Sequence, residues 1–392
     1  MRHIVVVGGS LAGHRAAEAL RNLGFDGDVT VVGDEEHRPY DRWPLSEGYL
    51  LGETDRLGLD IPIASDGDVR WRLGERATGL DLAARQVVLG NGDTIGFDGL
   101  VVATGARARR LASTGAVRGT YTLRTIEDAD GISAALSSRP REVAVVGGGL
   151  IGAEIASAAV ALGHQVTLIT PGHVPAPRQL GRLVSTTVDR ARVAAGVRVV
   201  GRSRARGVGR EAGQTAGVLL HDGRWLPADV VVVAIGTVPN VEWLGGSGLD
   251  VSDGLLCGPT LHAVGSSVVV GAGDVVRFPH PLLDNQSVRM EHWASTHDQA
   301  SLAASSLLVG PSTADHLNAL PQFGTMLHGI ELRVVGFPEV ADHDEVICGS
   351  LESGPALVSL SRRGNVVAAV SVNRAASPEQ LTELVQSAAS RP

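Results

Sequence analysis

Uninterrupted apolar runs that end in glycine recur along this chain, where alternating hydrophobic and polar positions would mark half-exposed strands. The first is "HIVVVGG" from His3 and another is "EVAVVGG" from Glu142. A short continuous run of β-branched residues closed by a turn predicts a strand buried on both faces, as in a parallel sheet covered by helices. Each run leads into an alanine-rich stretch with helical period, "SLAGHRAAEALRNLG" in the first case and "GLIGAEIASAAVALG" in the second. Each helix then leads to a further apolar strand, "DVTVVGDE" or "QVTLITPG". Strand, glycine turn, helix and strand make up the βαβ dinucleotide arrangement, and it occurs twice. Three more apolar runs end in small-residue turns: "LVVATGA" at 100–106, "VVVAIGTVPN" at 231–240 and "VVVGAGDVVRFPHP" at 268–281. The last is followed by "VRMEHWASTHDQA", which opens a helix carrying Trp293.

The glycines have separable jobs. Gly8 and Gly147 permit a tight turn out of the strand, and Gly13 and Gly152 allow helix and strand to pack closely. Between them a small residue lets backbone N–H groups approach a pyrophosphate; it is Gly149 in the second copy and Ser10 in the first. The helix N-terminus that follows holds phosphate charge with its unpaired N–H groups. One such pattern alone is often an ordinary turn. Two in matching strand–turn–helix settings predict two dinucleotide sites.

Composition narrows the class. A chain of 392 residues is long for one core and implies two or three domains. With 50 glycines and only 3% aromatics it suits a soluble α/β protein rich in tight turns. A net charge of −8 with no long basic run argues against nucleic acid as a partner. Short arginine clusters (Arg107, Arg109 and Arg110; Arg202, Arg204, Arg206 and Arg210) read as solvated surface, with docking of an acidic protein as the other use. Cys257 and Cys348 are the only cysteines, far apart, which disfavours a dithiol relay and any cysteine-built metal or iron–sulfur site. The N-terminal apolar run is too short for a signal peptide, and no 18-residue apolar stretch occurs, so the expectation is a cytoplasmic protein with no membrane partner.

These motifs resemble one family as a set. "ATGA", "GGGLIGAE", "VPNVEWLGGSGL", "GAGDV" and "EHW", in this order and spacing, are similar to those of the FAD-containing, NAD(P)H-dependent ferredoxin reductases that serve cytochromes P450 and ring-hydroxylating dioxygenases. The likeness runs from about His3 to about Arg374. It implies an α/β fold with two Rossmann-like dinucleotide-binding domains, one for FAD and one for NAD(P), plus a small α+β C-terminal domain. Residues 1–110 and 241–311 would form the FAD domain, 111–240 the NAD(P) domain and 312–392 the C-terminal domain. Gly8, Ser10 and Gly13 would meet the FAD pyrophosphate, and Asp34 or Glu35 the adenosine ribose. Arg42 would lie along the cofactor, Asp274 would bond its ribityl–phosphate region, and Trp293 would lie by the isoalloxazine. The turn residues Thr104, Gly105, Gly236 and Gly273 complete the cofactor contacts, with Gly147, Gly149, Gly152 and Thr170 on the pyridine-nucleotide side. The other use of Trp293 is as a core tryptophan.

The chain departs from that family at three places. The family segment "PYDRPPLSK" reads "PYDRWPLSE" here, so Trp43 replaces a proline and Glu47 replaces a lysine. The resemblance places that lysine near flavin N5, paired with the glutamate that is Glu154 in this sequence. A carboxylate pair results; both members cannot ionise cheaply at close range, so the expectation is a shared proton available for acid–base work. The alternative is that Glu47 turns to solvent or to an arginine. The second departure is Thr170, which closes "QVTLIT" where an acid commonly accepts bonds from the ribose 2′-OH of NADH. Loss of that charge slightly favours NADPH, with His173 or Arg178 as 2′-phosphate partners; a weakened pyridine-nucleotide site is the other reading. The third is "FGTMLHG", where the family has "FWSDQYG": Gly324, after Phe323, stands where an aromatic lies near the flavin. The hole left behind would be a substrate pocket bounded by Trp43, Phe323 and Gly324, unless Trp43 fills it.

Two functions follow. One is electron transfer from NADH or NADPH through FAD to a [2Fe–2S] ferredoxin. The other is a flavoenzyme of the same fold acting on a small organic molecule. Glu47, Glu154 and Trp293 would be the residues at the reacting centre, and a monomer and a homodimer are both open.

Overall fold

A computed structural model describes residues 1–63, 68–111, 117–137, 139–172, 178–211 and 214–389. The chain divides into two compact units, each assembled from three separate segments. The first takes 1–41, 59–107 and 238–321, and the second takes 42–58, 108–237 and 322–392.

At the centre of the first unit is a five-stranded sheet in the order Val269–Gly271, Gly99–Val102, His3–Val7, Asp28–Gly33 and Arg70–Leu73. Every pairing in it is parallel; His3 sits opposite Asp28, Ile4 opposite Gly99, and Val269 opposite Leu100. Ile4, Val5, Val6, Leu100, Val101 and Val102 are buried, as the uninterrupted apolar runs require for a sheet covered on both faces. The helices Leu11–Asn22 and Trp293–Val309 pack against each other in this unit. Two three-stranded sheets complete it, one built from Ala77–Asp81, Gln86–Leu89 and Thr94–Gly96, the other from Leu255–Leu256, Val276–His280 and Gln286–Arg289.

The second unit repeats the theme. Its parallel sheet runs Arg198–Val200, Gln165–Ile169, Glu142–Val146, Val230–Val233 and Thr120–Tyr121. The helix Ile126–Leu136 begins with a capping box, in which Thr125 Oγ1 accepts from the Asp128 N–H while the Asp128 carboxylate accepts from the Thr125 N–H. Its apolar face and that of the helix Leu150–Ala161 join the sheet in one core, through Ile132, Leu136, Ile155 and Ala159. Leu50 enters the same core, which anchors the segment 42–58.

The C-terminal part of this unit is a five-stranded antiparallel sheet, ordered Gln322–Leu327, Ile330–Gly336, Asn365–Val372, Ala356–Arg362 and His343–Gly349. The helix Pro378–Ala389 packs on it. Leu327, Leu332, Val358, Leu360 and Val370 share its core with Val184 and Val188 of the helix Gly181–Ala194 and with Ala153 of Leu150–Ala161. The architecture is therefore α/β, with two dinucleotide-type parallel sheets and an α+β C-terminal part. Among the described residues no helix is long and apolar enough to cross a membrane.

Leu360 is fully buried in the C-terminal core, whereas Ile347 on the edge strand is 45% exposed. Leu360→Ala should cost about 2–5 kcal/mol and Ile347→Ala about 0.5 kcal/mol or less. Urea unfolding of the two variants, followed by circular dichroism, measures the difference.

Candidate functional site

The first dinucleotide cradle lies in the first unit. Gly8 has φ +127, and a Cβ there would fall 2.0 Å from the Ala103 carbonyl oxygen. A Cβ on Gly13 would fall 1.8 Å from the Gly8 oxygen. No side chain fits at either place, so helix and strand meet backbone to backbone. Ser10 is the N-cap of Leu11–Asn22, with extended dihedrals and its carbonyl accepting from His14 N at 2.9 Å. The neighbouring turn is stapled to another loop: Thr104 Oγ1 donates to Asn240 O at 2.7 Å, Asn240 Nδ2 to Thr104 O at 2.9 Å, and Asn240 N to Gly105 O at 2.9 Å. Gly105 and Gly273 both have positive φ, and Gly273 N donates to Gln299 Oε1 at 2.9 Å. At the end of the second strand Asp34 is exposed, and Glu35 accepts the Tyr40 hydroxyl at 2.7 Å. Asp274, after the last glycine turn, is half-buried, as is Trp293, the first residue of its helix. Burial holds the preceding His292 below its ordinary value of 6.5 against the opposing pull of Asp274.

The second cradle, in the second unit, repeats these contacts. Gly147 has φ +118 with the Ala234 oxygen 2.0 Å from its virtual Cβ, and Gly152 stands 2.0 Å from the Gly147 oxygen in the same way. Gly149, the N-cap of Leu150–Ala161, differs. Its φ is −75 and a Cβ would meet nothing within 4 Å. Neither conformation nor protein packing demands glycine there. The space it leaves lies at a helix N-terminus, where a pyrophosphate needs close approach, so the residues fit a dinucleotide. Gly236, in the turn after Val230–Val233, has positive φ and, like Gly149, open space about it. Thr170 is buried, and its hydroxyl accepts from Gly172 N at 3.3 Å, so the strand closes on a neutral local bond. His173 lies outside the described residues, as does the Arg178 side chain.

The same unit holds the carboxylates. One proline shapes the segment 42–58: Pro44 is the second residue of the short 3₁₀ helix Trp43–Ser46, and Glu47 is its C-cap. Arg42 Nη1 donates to Arg124 O at 2.8 Å and the Tyr49 hydroxyl donates to Asp130, which seats the segment on the helix Ile126–Leu136. Glu154 is buried in the Leu150–Ala161 helix, and Thr325 is buried on the strand Gln322–Leu327. Thr325 Oγ1 stands 2.8 Å from Glu47 Oε1 and 2.8 Å from Glu154 Oε1. Ser46 Oγ donates to Glu154 Oε2 at 2.6 Å, and Met326 N donates to Glu47 Oε1 at 2.8 Å. His328 N donates to Ser157 Oγ at 2.9 Å, tying the turn after the strand to the helix that carries Glu154. Burial pushes the His328 imidazole down to about 4, with Arg192 adding to the effect, so it stays neutral.

Burial is the largest influence on both acids. It pushes Glu154 up to about 8, with the charge of Glu47 acting in the same direction and the Ser46 and Thr325 hydroxyls opposing. Glu47 is raised by burial too, against the Met326 N–H and the Thr325 hydroxyl. Glu53 adds negative charge beside it. With its value near 8, Glu154 is the member that holds a proton near neutrality.

Of the residues singled out from "FGTMLHG", none touches both acids; Thr325 does, and composition drew no attention to it. The strand alternates, with Thr325 and Leu327 buried and Gly324 and Met326 exposed. That period-two pattern was the available signal, because it sets Thr325 on the opposite face from Gly324. A Cβ on Gly324 would meet only the Leu332 oxygen, at 3.6 Å. Trp43 is 56% exposed, and half-buried Phe323 packs on the C-terminal core.

Paired cradles of this kind define a two-dinucleotide oxidoreductase, and comparison with known proteins gives the family. The sequence profile described as pyridine nucleotide-disulphide oxidoreductase matches residues 2–300, and the chain belongs to that family, whose members use FAD and NAD(H). It is 34% identical to the biphenyl dioxygenase system ferredoxin–NAD(+) reductase component of Paraburkholderia xenovorans, over 97% of this chain and 92% of that one. It is also 34% identical to rhodocoxin reductase of Rhodococcus erythropolis, over 90% of this chain and 82% of the relative. The crystal structure of the covalent putidaredoxin reductase–putidaredoxin complex superposes with a TM-score of 0.90 at 30% identity, covering 100% of this chain and 93% of that one. The disulphide in the family description has no counterpart here. Both cysteines are free, and burial pushes the Cys257 thiol far above its ordinary value.

A carboxyl raised on folding stabilises the protein below its unfolded value, and that stability is lost as pH rises through the folded value. For Glu154 the window runs from 4.5 to about 8. Thermal melts should therefore show stability falling with pH across this window, and Glu154→Gln should flatten the slope there.

Proposed function

We propose that this chain is a cytoplasmic FAD-dependent NAD(H):ferredoxin reductase, delivering single electrons to a [2Fe–2S] ferredoxin that serves an oxygenase or a cytochrome P450. The observation that carries this reading is the end-to-end likeness to reductase components of such systems, with both dinucleotide cradles kept. We assign residues 1–110 and 241–311 to FAD binding, 111–240 to NAD(H) binding and 312–392 to the C-terminal domain.

The reaction balances as one NADH and two oxidised ferredoxins giving NAD⁺, two reduced ferredoxins and one proton. Bound FAD supplies the conversion between a two-electron donor and one-electron acceptors. The protein supplies position and charge. Gly8, Ser10 and Gly13 admit one pyrophosphate to a helix N-terminus, and Gly147, Gly149 and Gly152 admit the other. Asp34 or Glu35 is our candidate for the adenosine ribose of FAD, with Asp274 and Trp293 toward the flavin end. Glu47 and Glu154 hold and release a proton at their Oε1 atoms. Thr170 places no charge at the strand end, so a 2′-phosphate meets no repulsion from it and NADPH is a usable donor beside NADH.

A second reading, oxidation or reduction of a small organic molecule, draws on the replacement of a lysine by Glu47, which the resemblance implies, and on the exposure of Gly324. Anaerobic mixing with NADH, followed at the flavin absorbance, should show reduction. Cytochrome c reduction should then depend on added [2Fe–2S] ferredoxin from an aromatic-ring dioxygenase system. Rapid flavin reduction without ferredoxin-dependent turnover would sink the reductase reading in favour of the second. In the same assay Thr170→Glu should lower kcat/KM for NADPH on the order of tenfold, through repulsion of the 2′-phosphate, and spare NADH.

A further inference from the structure

Thr325 Oγ1 makes two contacts of 2.8 Å with carboxylate oxygens, yet a hydroxyl carries one proton. If both acids were ionised, one contact would set lone pair against lone pair. Both are hydrogen bonds only when one acid carries a proton and gives it to the Thr325 oxygen, while Thr325 gives its own to the other acid. We propose that Thr325 is a proton relay between the buried carboxyl of Glu154 and the half-buried carboxyl of Glu47.

The relay has two states. In one, Glu154 Oε1–H donates to Thr325 Oγ1, and Thr325 donates to ionised Glu47. In the other, Glu47 Oε1–H donates to Thr325 and Thr325 donates to ionised Glu154. Passing between them breaks the O–H bonds of Glu154 and Thr325 and forms new ones on Thr325 and Glu47. One proton moves outward and no electrons move. The surroundings serve both states: Ser46 Oγ donates to Glu154 Oε2, and the Met326 N–H donates to Glu47. Glu53 adds negative charge at Glu47. The helix Ile126–Leu136, which packs on Trp43–Ser46, carries Glu127, Asp128 and Asp130; Asp128 belongs to the cap and Asp130 accepts from Tyr49. The strand itself brings no titratable group; His328 follows its end, and Arg192 of the helix Gly181–Ala194 acts on His328.

The relay is a property of these side chains. Its use in turnover, to carry away the proton released when NADH reduces two ferredoxins, rests on the reductase reading above. Infrared spectra of the FAD-loaded protein provide a test that does not depend on turnover. At pH 7 the wild type should show a carboxylic-acid C=O band that Glu154→Gln removes and that shifts promptly on transfer into D₂O. In Thr325→Val the shift should slow by about 10²-fold, the low end of what a positioned proton-transfer group contributes. Thr325→Ser should exchange as the wild type does. Ser46→Ala, which leaves the bridge intact, should move the midpoint of the band to higher pH while exchange stays fast. Wild-type exchange rates in Thr325→Val, or a band that survives both Glu154→Gln and Glu47→Gln, would overturn the relay. Absence of ferredoxin-linked turnover in a wild type with normal exchange would instead remove the reductase reading alone.

Discussion

Backbone meeting backbone at a glycine is the constraint from which both nucleotide cradles follow. At Gly8 and Gly147 a side-chain carbon would fall 2.0 Å from the carbonyl oxygen of the residue that follows the neighbouring strand. That separation excludes every other residue, so strand, turn and helix can assemble in one way only. Gly13 and Gly152 repeat the constraint one turn later, against the turn glycine itself. The helix N-terminus is thereby fixed directly over the end of the central strand, where its free N–H groups can take phosphate. Gly149 is of another kind. Nothing in the protein requires it, and its value lies in the space it leaves.

The carboxylate cluster answers to a different principle, the cost of burying charge. Glu154 is 6% exposed and sits within reach of a second acid, an arrangement that two ionised groups could not sustain. Hydroxyls from two directions make it tolerable. Ser46 comes from the proline-shaped segment and Thr325 from the C-terminal sheet, and together they satisfy three of the oxygens involved. The resemblance to ferredoxin reductases implies a lysine at 47 that pairs with Glu154; with a glutamate there, the proposed relay gives the same place one proton to share. The Gln322–Leu327 strand thus has a chemical role in addition to its packing role in the C-terminal core.

Membership in a family described by its disulphides sharpens what this chain lacks. With both cysteines free and Cys257 held neutral by burial, no thiol pair can carry electrons. Members of the family use FAD and NAD(H), so electrons pass through bound cofactors, which the protein positions. The overall likeness to reductases of dioxygenase and P450 systems fits that division of labour.

Much of this was legible before any coordinates. Uninterrupted apolar runs and glycine spacing are local properties, because buried parallel strands and left-handed turns restrict residue type wherever they occur; they determined both parallel sheets and both cradles, while the acidic pair came only from the resemblance to ferredoxin reductases. The spacing of Thr104 and Asn240 along the chain says nothing of the hydrogen bonds that join their loops, nor does that of Gly273 and Gln299. Thr325 illustrates the limit best. It is separated from Glu154 by 171 residues and from Glu47 by 278, and a threonine in a β-strand is unremarkable by type. Sequence and its resemblance to ferredoxin reductases set two acids where a lysine and an acid are implied. Only the tertiary structure decided how they coexist, because a hydrogen bond depends on distances that chain separation does not encode.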